Sequence, residues 1–142
     1  MTDFFGSYEH SVDERGRIAV PARFRKAFIE GVVVRAGPER CVEVYTAEGF
    51  REETAQRLGA HQSTRDREGR RVRRAFLNNA FEIEVDRQGR ILVPQALRAQ
   101  CELGDRVVIN GCGDYIEIWN PDRWTTEMSA LEESEPEAAG DA

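Results

Sequence analysis

Two short stretches of this chain have the make-up of a turn that could contact phosphate. Asp13-Glu-Arg-Gly-Arg17 and Asp86-Arg-Gln-Gly-Arg90 each place an aspartate four residues before an arginine, with a glycine between them. Aspartate can accept backbone N–H groups ahead of it and glycine tolerates positive φ, so both stretches predict tight turns. Arg15 stands in the first turn and Arg87 in the second, neither with an obvious structural task. Arg17 and Arg90 open the segment that follows. Guanidinium forks bind phosphate and guanine edges bidentately, and loops on a rigid scaffold are good places for such contacts. The candidate DNA-binding residues are therefore Arg15, Arg17, Arg87 and Arg90. Asp13, Gly16, Asp86 and Gly89 read as structural parts of the motif, because a carboxylate facing phosphates would be repelled. Arg17 and Arg90 serve equally well as salt-bridge partners of their aspartates, and that alternative stays open.

No other constellation carries chemistry. His10 and His61 fall in different segments, and no Ser/His/Asp or Cys/His set has a supporting motif. Cys41, Cys101 and Cys112 are an odd number at wide spacings, which argues against a disulfide framework and for a reducing cytoplasm. They read as small buried apolar residues. A zinc site would want Cys-x-x-Cys or a histidine pair, and neither occurs. Gly31 and Asn110-Gly111-Cys112-Gly113 lack the Lys-Ser/Thr of a phosphate loop and read as turns. The chain is expected to be no enzyme, with no catalytic residue, no metal and no cofactor.

The charge is uneven. The net charge of −6 over 142 residues is unpromising for a nucleic-acid partner. Residues 51–80, however, carry 8 basic and 4 acidic groups, whereas residues 81–142 carry 5 basic and 14 acidic. Much of the acidic excess lies in the last residues, read as a solvated tail. Basic residues are 19 arginines and one lysine, Lys26. Codon usage in a G+C-rich genome produces the same bias, so only arginines in informative positions count. No apolar run approaches the ~20 residues of a membrane helix, and the start of the chain has no secretory features. A composition of 40% apolar and 32% charged residues fits one globular domain.

The elements that must position the two turns repeat. Residues 9–28 and 82–101 share nine identities in twenty at an offset of 73, including both motifs and Pro21/Pro94. At an offset of 74, residues 32–45 lie over 106–119. Each unit predicts a short strand around Val12 or Val85, the turn, and a second strand over Arg17–Val20 or Arg90–Val93 that completes a hairpin. A helix opened by proline follows, burying Phe24 and Phe28 or Leu97 and Cys101. Two further strands contain Val32–Arg35 and Cys41–Tyr45, or Val107–Asn110 and Tyr115–Trp119. Gly37-Pro38 and Asn110-Gly111 are the predicted turns, and Glu43 and Glu117 are predicted to face outward.

A longer helix follows each β-β-α-β-β unit. Thr46 caps one, with Phe50, Thr54 and Leu58 on one stripe. Asn120 caps the other, with Pro121 first and Trp124, Met128 and Leu131 as its stripe. After a break at residues 59–62, Ser63 with Asp66 resembles a capping box opening a helix that carries Val72 and Phe76. The arginines at 65, 67, 70, 71, 73 and 74 lie along it. They could line a DNA face, bridge to acidic groups of a neighbouring subunit, or be solvated. A fifty-residue unit buries its own sheet poorly. The expected fold class is therefore α+β, with two units intertwined into one pseudo-symmetric barrel and flanking helices. The expected organisation is a first repeat at 4–50, a helical linker at 51–80, a second repeat at 81–124, and a helix end with acidic tail at 125–142.

Two Asp-x-x-x-Arg motifs, each followed by an apolar strand and proline, resemble the AbrB-type (SpoVT-AbrB) swapped-hairpin barrel. With Arg-Arg-Val-Arg-Arg-Ala-Phe (70–76) between them and Tyr115-Ile-Glu-Ile-Trp at the end, the chain is similar to the MraZ family from Phe4 to Trp124. Asp66 to Arg70 matches the motif by chance, inside a predicted helix. The resemblance implies a cytoplasmic, nucleoid-associated regulator of the division and cell-wall gene cluster. It also implies a ring-shaped homo-oligomer that binds direct repeats in promoter DNA. An AbrB-type antitoxin and a ring scaffold without DNA are the alternatives. The first loop reads Glu-Arg-Gly and the second Arg-Gln-Gly, so the two need not contact DNA equally.

Overall fold

The computed structural model describes residues 3–59 and 64–134. His61, Ser63 and the acidic tail beyond 134 lie outside the described residues. Strand β1 (Ser7–Ser11), strand β2 (Arg17–Ala19), helix α1 (Ala22–Arg25), strand β3 (Val32–Ala36) and strand β4 (Val42–Tyr45) form the first unit. Its counterpart is β5 (Phe81–Ile83), β6 (Arg90–Leu92), α4 (Gln95–Gln100), β7 (Arg106–Gly111) and β8 (Ile116–Trp119). Helices α2 (Ala47–Leu58) and α3 (Arg67–Leu77) lie between the units, and α5 (Pro121–Ser134) follows them. The fold is α+β and pseudo-symmetric, as the repeat predicts.

The pairing of strands differs from a local hairpin. β2 does not pair along its length with β1; it pairs antiparallel with β6, with Ile18 opposite Ile91. β1 pairs instead with β7 of the other unit. Only a single bridge, Val12 to Ile18, joins the two arms of the first turn. The first strands also end earlier than predicted, at Ser11 and Ile83, so that Val12 and Val85 lead into the turns. The remaining strands complete a six-stranded antiparallel sheet in the order β1-β7-β8-β4-β3-β5.

Between this sheet and the β2–β6 ribbon lies the core. Ile18, Ile91, Val20 and Val93 point into it, and all are 0–1% exposed. Phe24 and Phe28 of the first unit and Leu97 and Cys101 of the second are buried there, on the predicted stripes. Phe4 stacks on Phe28 with ring centroids 5.1 Å apart. Burial of each such large side chain contributes roughly 1.5–3 kcal/mol. Neither unit could close this core alone.

A second layer covers the other face of the sheet, and it corrects the prediction for Glu43 and Glu117. Both are buried, at 2% and 8% exposure, because α2 and α3 roof β3 and β4 while α5 packs on β7. They face each other across the β4–β8 pair. Arg35 Nη1 and Tyr45 Oη both donate to Glu43 Oε1 at 2.9 Å. Glu117 accepts from Trp119 Nε1 at 2.9 Å and Tyr115 Oη at 3.3 Å. Phe76 of α3 stacks on Phe50 of α2 and lies 4.4 Å beneath the Arg35 guanidinium.

The caps follow the sequence with one exception. The Thr46 side chain accepts from Gly49 N, and Asn120 Oδ1 accepts from Asp122 N and Arg123 N. Helix α3 is capped by Asp66, whose carboxylate accepts from Gly69 N. Gly59 ends α2 with φ +38, a conformation that suits glycine. Asn110 and Gly111 are not a turn but the end of β7, and the chain reverses over Cys112–Asp114. Leu131 is 44% exposed, so the stripe of α5 is buried only toward Trp124 and Met128. Cys41 and Cys101 are buried, whereas Cys112 is partly exposed beside Asn110 Nδ2. Burial raises the Cys101 thiol to about 11 and the Cys112 thiol to about 12.

Candidate functional site

Each motif builds its own turn. Asp13 Oδ1 accepts from the backbone N–H of Arg15 at 2.9 Å and of Arg17 at 2.8 Å. Asp86 Oδ1 does the same for Gln88 and Arg90, both at 2.9 Å. The backbone closes each turn, Asp13 N to Arg17 O and Asp86 N to Arg90 O, both 2.9 Å. Gly16 and Gly89 hold φ of +85 and +78, where a side chain would be strained. A β-carbon at Gly16 would also run into the Arg98 guanidinium, and one at Gly89 into that of Arg25.

The β2–β6 pairing then brings the two turns together. Arg17 Nε donates to Asp13 Oδ2 at 2.8 Å, and Arg90 Nε to Asp86 Oδ2 at 2.9 Å. Arg90 Nη1 also reaches Asp13 Oδ2 at 3.5 Å, and Arg17 Nη1 lies 4.0 Å from Asp86 Oδ2. Two arginines and two aspartates of different units thus form one quartet. The Arg17 and Arg90 side chains remain 28% and 27% exposed. Each guanidinium has five N–H donors, so both can serve the quartet and still offer donors outward.

Arg15 and Arg87 are exposed on the two turns. They do not occupy equivalent places. Gln88, not Arg87, matches Arg15 in donating its backbone N–H to the motif aspartate. Arg87 matches Glu14, so the two loops present their arginines one position apart. A shallow cleft lined by Val12, Asp13, Glu14, Arg15, Arg17 and Arg90 runs along this surface.

Two arginines of the site escaped the sequence reading. Arg25 Nε donates to Val20 O at 2.9 Å, and Arg98 Nε to Val93 O at 3.0 Å. Each helix arginine is anchored in its own unit and lies against the glycine of the other unit's turn. They are identical across the repeat, and that identity was the available signal. His10 lies apart from these arginines; its Nδ1–H donates to Ala19 O at 2.7 Å and ties β1 to β2. Among the described residues no three His, Cys, Asp or Glu side chains gather as a metal site would need.

Both aspartates are held below the ordinary carboxylate value near 3.8. The leading cause is the backbone N–H of Arg17 or Arg90; the side chain of the same arginine adds to it, and desolvation opposes it. A native carboxylate with a depressed value binds protons less readily than the unfolded one. Its stabilisation is therefore complete above about pH 5 and is lost as pH falls through 3.8 toward the native value. Asp13→Asn keeps the turn acceptor and removes the charge. The stability gap between wild type and this variant, read by urea titration, should be level from about pH 7 to 5 and close below about pH 4. A gap unchanged near about pH 2.5 would show that the charge of Asp13 is not what the turn uses.

A surface of clustered arginine forks on a two-stranded ribbon has a defined capability: it can meet phosphates and base edges. Comparison with known proteins leads to the same family as the motifs. The family described as "MraZ protein, putative antitoxin-like" matches residues 4–74 and again 76–142. The chain is 43% identical over 129 residues to the transcriptional regulator MraZ of Roseiflexus castenholzii, covering 91% of this chain and 89% of that protein. It is 38% identical over 136 residues to the transcriptional regulator MraZ of Bifidobacterium longum, covering 96% and 89%. The corresponding protein of Thermomicrobium roseum is 36% identical over 136 residues, covering 96% and 94%. With both halves of the chain matching and both motif turns built alike, the chain belongs to the MraZ family.

Proposed function

We propose that this protein is a transcriptional regulator that binds double-stranded promoter DNA through the surface around the Asp13–Arg17 and Asp86–Arg90 turns. One observation carries the reading: the two turns meet across a single outward ribbon, with Arg15 and Arg87 exposed beside the Arg17 and Arg90 quartet. Asp13, Gly16, Asp86 and Gly89 shape the turns, and the four arginines contact DNA. The repeats at 4–50 and 81–124 act as two halves of one reading body. The names of the relatives support the regulatory role.

The finer reading is a ring-shaped homo-oligomer on direct repeats upstream of the division and cell-wall gene cluster, at the nucleoid. One chain presents few arginines, so several copies on adjacent repeats gain effective concentration. Charge separation supports head-to-tail contacts between copies. Helix α3 carries five arginines, while α5 carries Asp122, Glu127, Glu132 and Glu133. Nuclease footprinting on the DNA upstream of the protein's own gene tests the reading. Evenly spaced protected repeats are expected, with affinity rising steeply with repeat number and falling with salt. Protection that is absent, or binding independent of sequence, overturns it and favours a scaffold role.

A further inference from the structure

We propose that Leu92 contacts thymine methyl groups in the major groove and so gives one half of the ribbon a base preference. The inference rests on the DNA-binding reading above and goes beyond it to name a residue that reads sequence. Leu92 is 49% exposed. Single exposed leucines are ordinary, so exposure by itself decides nothing. Placement decides. In the β2–β6 register Arg17 faces Leu92 and Ala19 faces Arg90, while Ile18 and Ile91 between them are buried. Directly opposed residues of an antiparallel pair project from the same face. The outer face of the ribbon therefore presents two guanidinium groups and two apolar side chains.

The chemistry of this face matches the floor of the major groove. That groove admits a two-stranded ribbon, and thymine's methyl is the apolar group on its base edges. Arginines flanking the leucine supply the charge that a DNA partner requires and that an apolar protein partner would not. A Leu92 methyl lies 3.6 Å from the position a Gly16 β-carbon would take, so the side chain leans over the first turn, beside the surface of Arg15 and Arg17. The equivalent position of the first unit is Ala19, which reaches less far. The ribbon's pseudo-two-fold symmetry is thus broken at an outward position. A broken two-fold suits an asymmetric recognition site, repeated head to tail, better than a palindrome.

The test uses the full chain and duplexes enriched by the wild type from a random-sequence library. An enriched duplex is then remade with deoxyuridine for thymidine, one position at a time, which deletes single methyls. Leu92→Ala should leave the melting temperature and the sedimentation mass unchanged. It should weaken binding to the enriched duplex by roughly fivefold to tenfold, as expected for lost apolar contact. The salt slope should not change, because no charge is lost. Uracil at one or two positions should cost the wild type a similar factor and the variant nothing, and Leu92→Met should retain most of the affinity. A variant that enriches the same sequences with wild-type affinity overturns the inference and leaves the DNA reading intact. So does a uracil effect equal in both proteins, or a changed mass, which would make Leu92 a contact between copies. A wild type that enriches no sequence overturns the DNA reading and this inference together.

Discussion

Arg35→Met should lower the melting temperature by roughly 10–20 °C. Arg35 is 9% exposed and its partner Glu43 is 2% exposed, so removing the arginine leaves a carboxylate in a buried site. Breaking a buried pair in this way costs about 3–5 kcal/mol, and about 4 °C per kcal/mol follows for a chain of this size. The arginine's Nε is itself buried without a hydrogen-bond partner, so the substitution also removes one unsatisfied donor. That gain is smaller than the cost of an unpaired charge. Glu43→Gln on the Arg35→Met background should recover much of the loss. The amide carries no charge and can still accept from Tyr45 Oη, which lies 2.9 Å from Oε1 in the wild type. Thermal melts of the two variants decide the matter. If Arg35→Met shifts the midpoint by less than about 3 °C, the pair is not what holds α3 over this face.

The double variant Arg15→Ala/Arg87→Ala should fold normally and lose DNA affinity. Both side chains are exposed on turns whose shape is set by Asp13 and Asp86, so stability should change by less than ~0.5 kcal/mol per site. If both touch phosphate, affinity should fall on every sequence and the slope of log K against log salt should become shallower by about two. If one reads a guanine edge, discrimination at one base should drop by roughly 1–3 kcal/mol instead. The loops differ by one position in where they hold these arginines, so the single variants should differ in effect. Asp13→Ala supplies the contrast. It deletes the acceptor of two backbone N–H groups and the Arg17 pair, and should reduce stability before binding. An Arg15→Ala chain that unfolds, beside a stable Asp13→Ala chain that cannot bind, would reverse this division of labour.

Local physics made much of the molecule legible from the residues alone. The repeat of Asp-x-x-x-Arg, apolar strand and proline sets the β-β-α-β-β unit, because turn chemistry, β-branched runs and helix entry are properties of neighbours in sequence. The stripes Phe24–Phe28 and Leu97–Cys101 followed from helical spacing. The caps Thr46 and Asn120 followed from side-chain oxygens just ahead of helical segments. The need for two units to share one core followed from the size of each.

Tertiary structure decided the rest. Alternation in sequence tells which side chains leave one face of a strand, and not which strand will lie beside it. The ribbon could therefore only be found as β2 with β6 once the chain was folded, and with it the quartet that joins Arg17 and Arg90 to both aspartates. For the same reason Glu43 and Glu117 read as solvent-facing. The pattern marked them as the polar side of a strand, but helices distant in sequence cover that side. Arg25 and Arg98 looked like exposed helix residues until each was seen lying on the other unit's glycine turn. The exposure of Leu92 beside Arg17 belongs to the same class, because a contact between units has no signature within either unit.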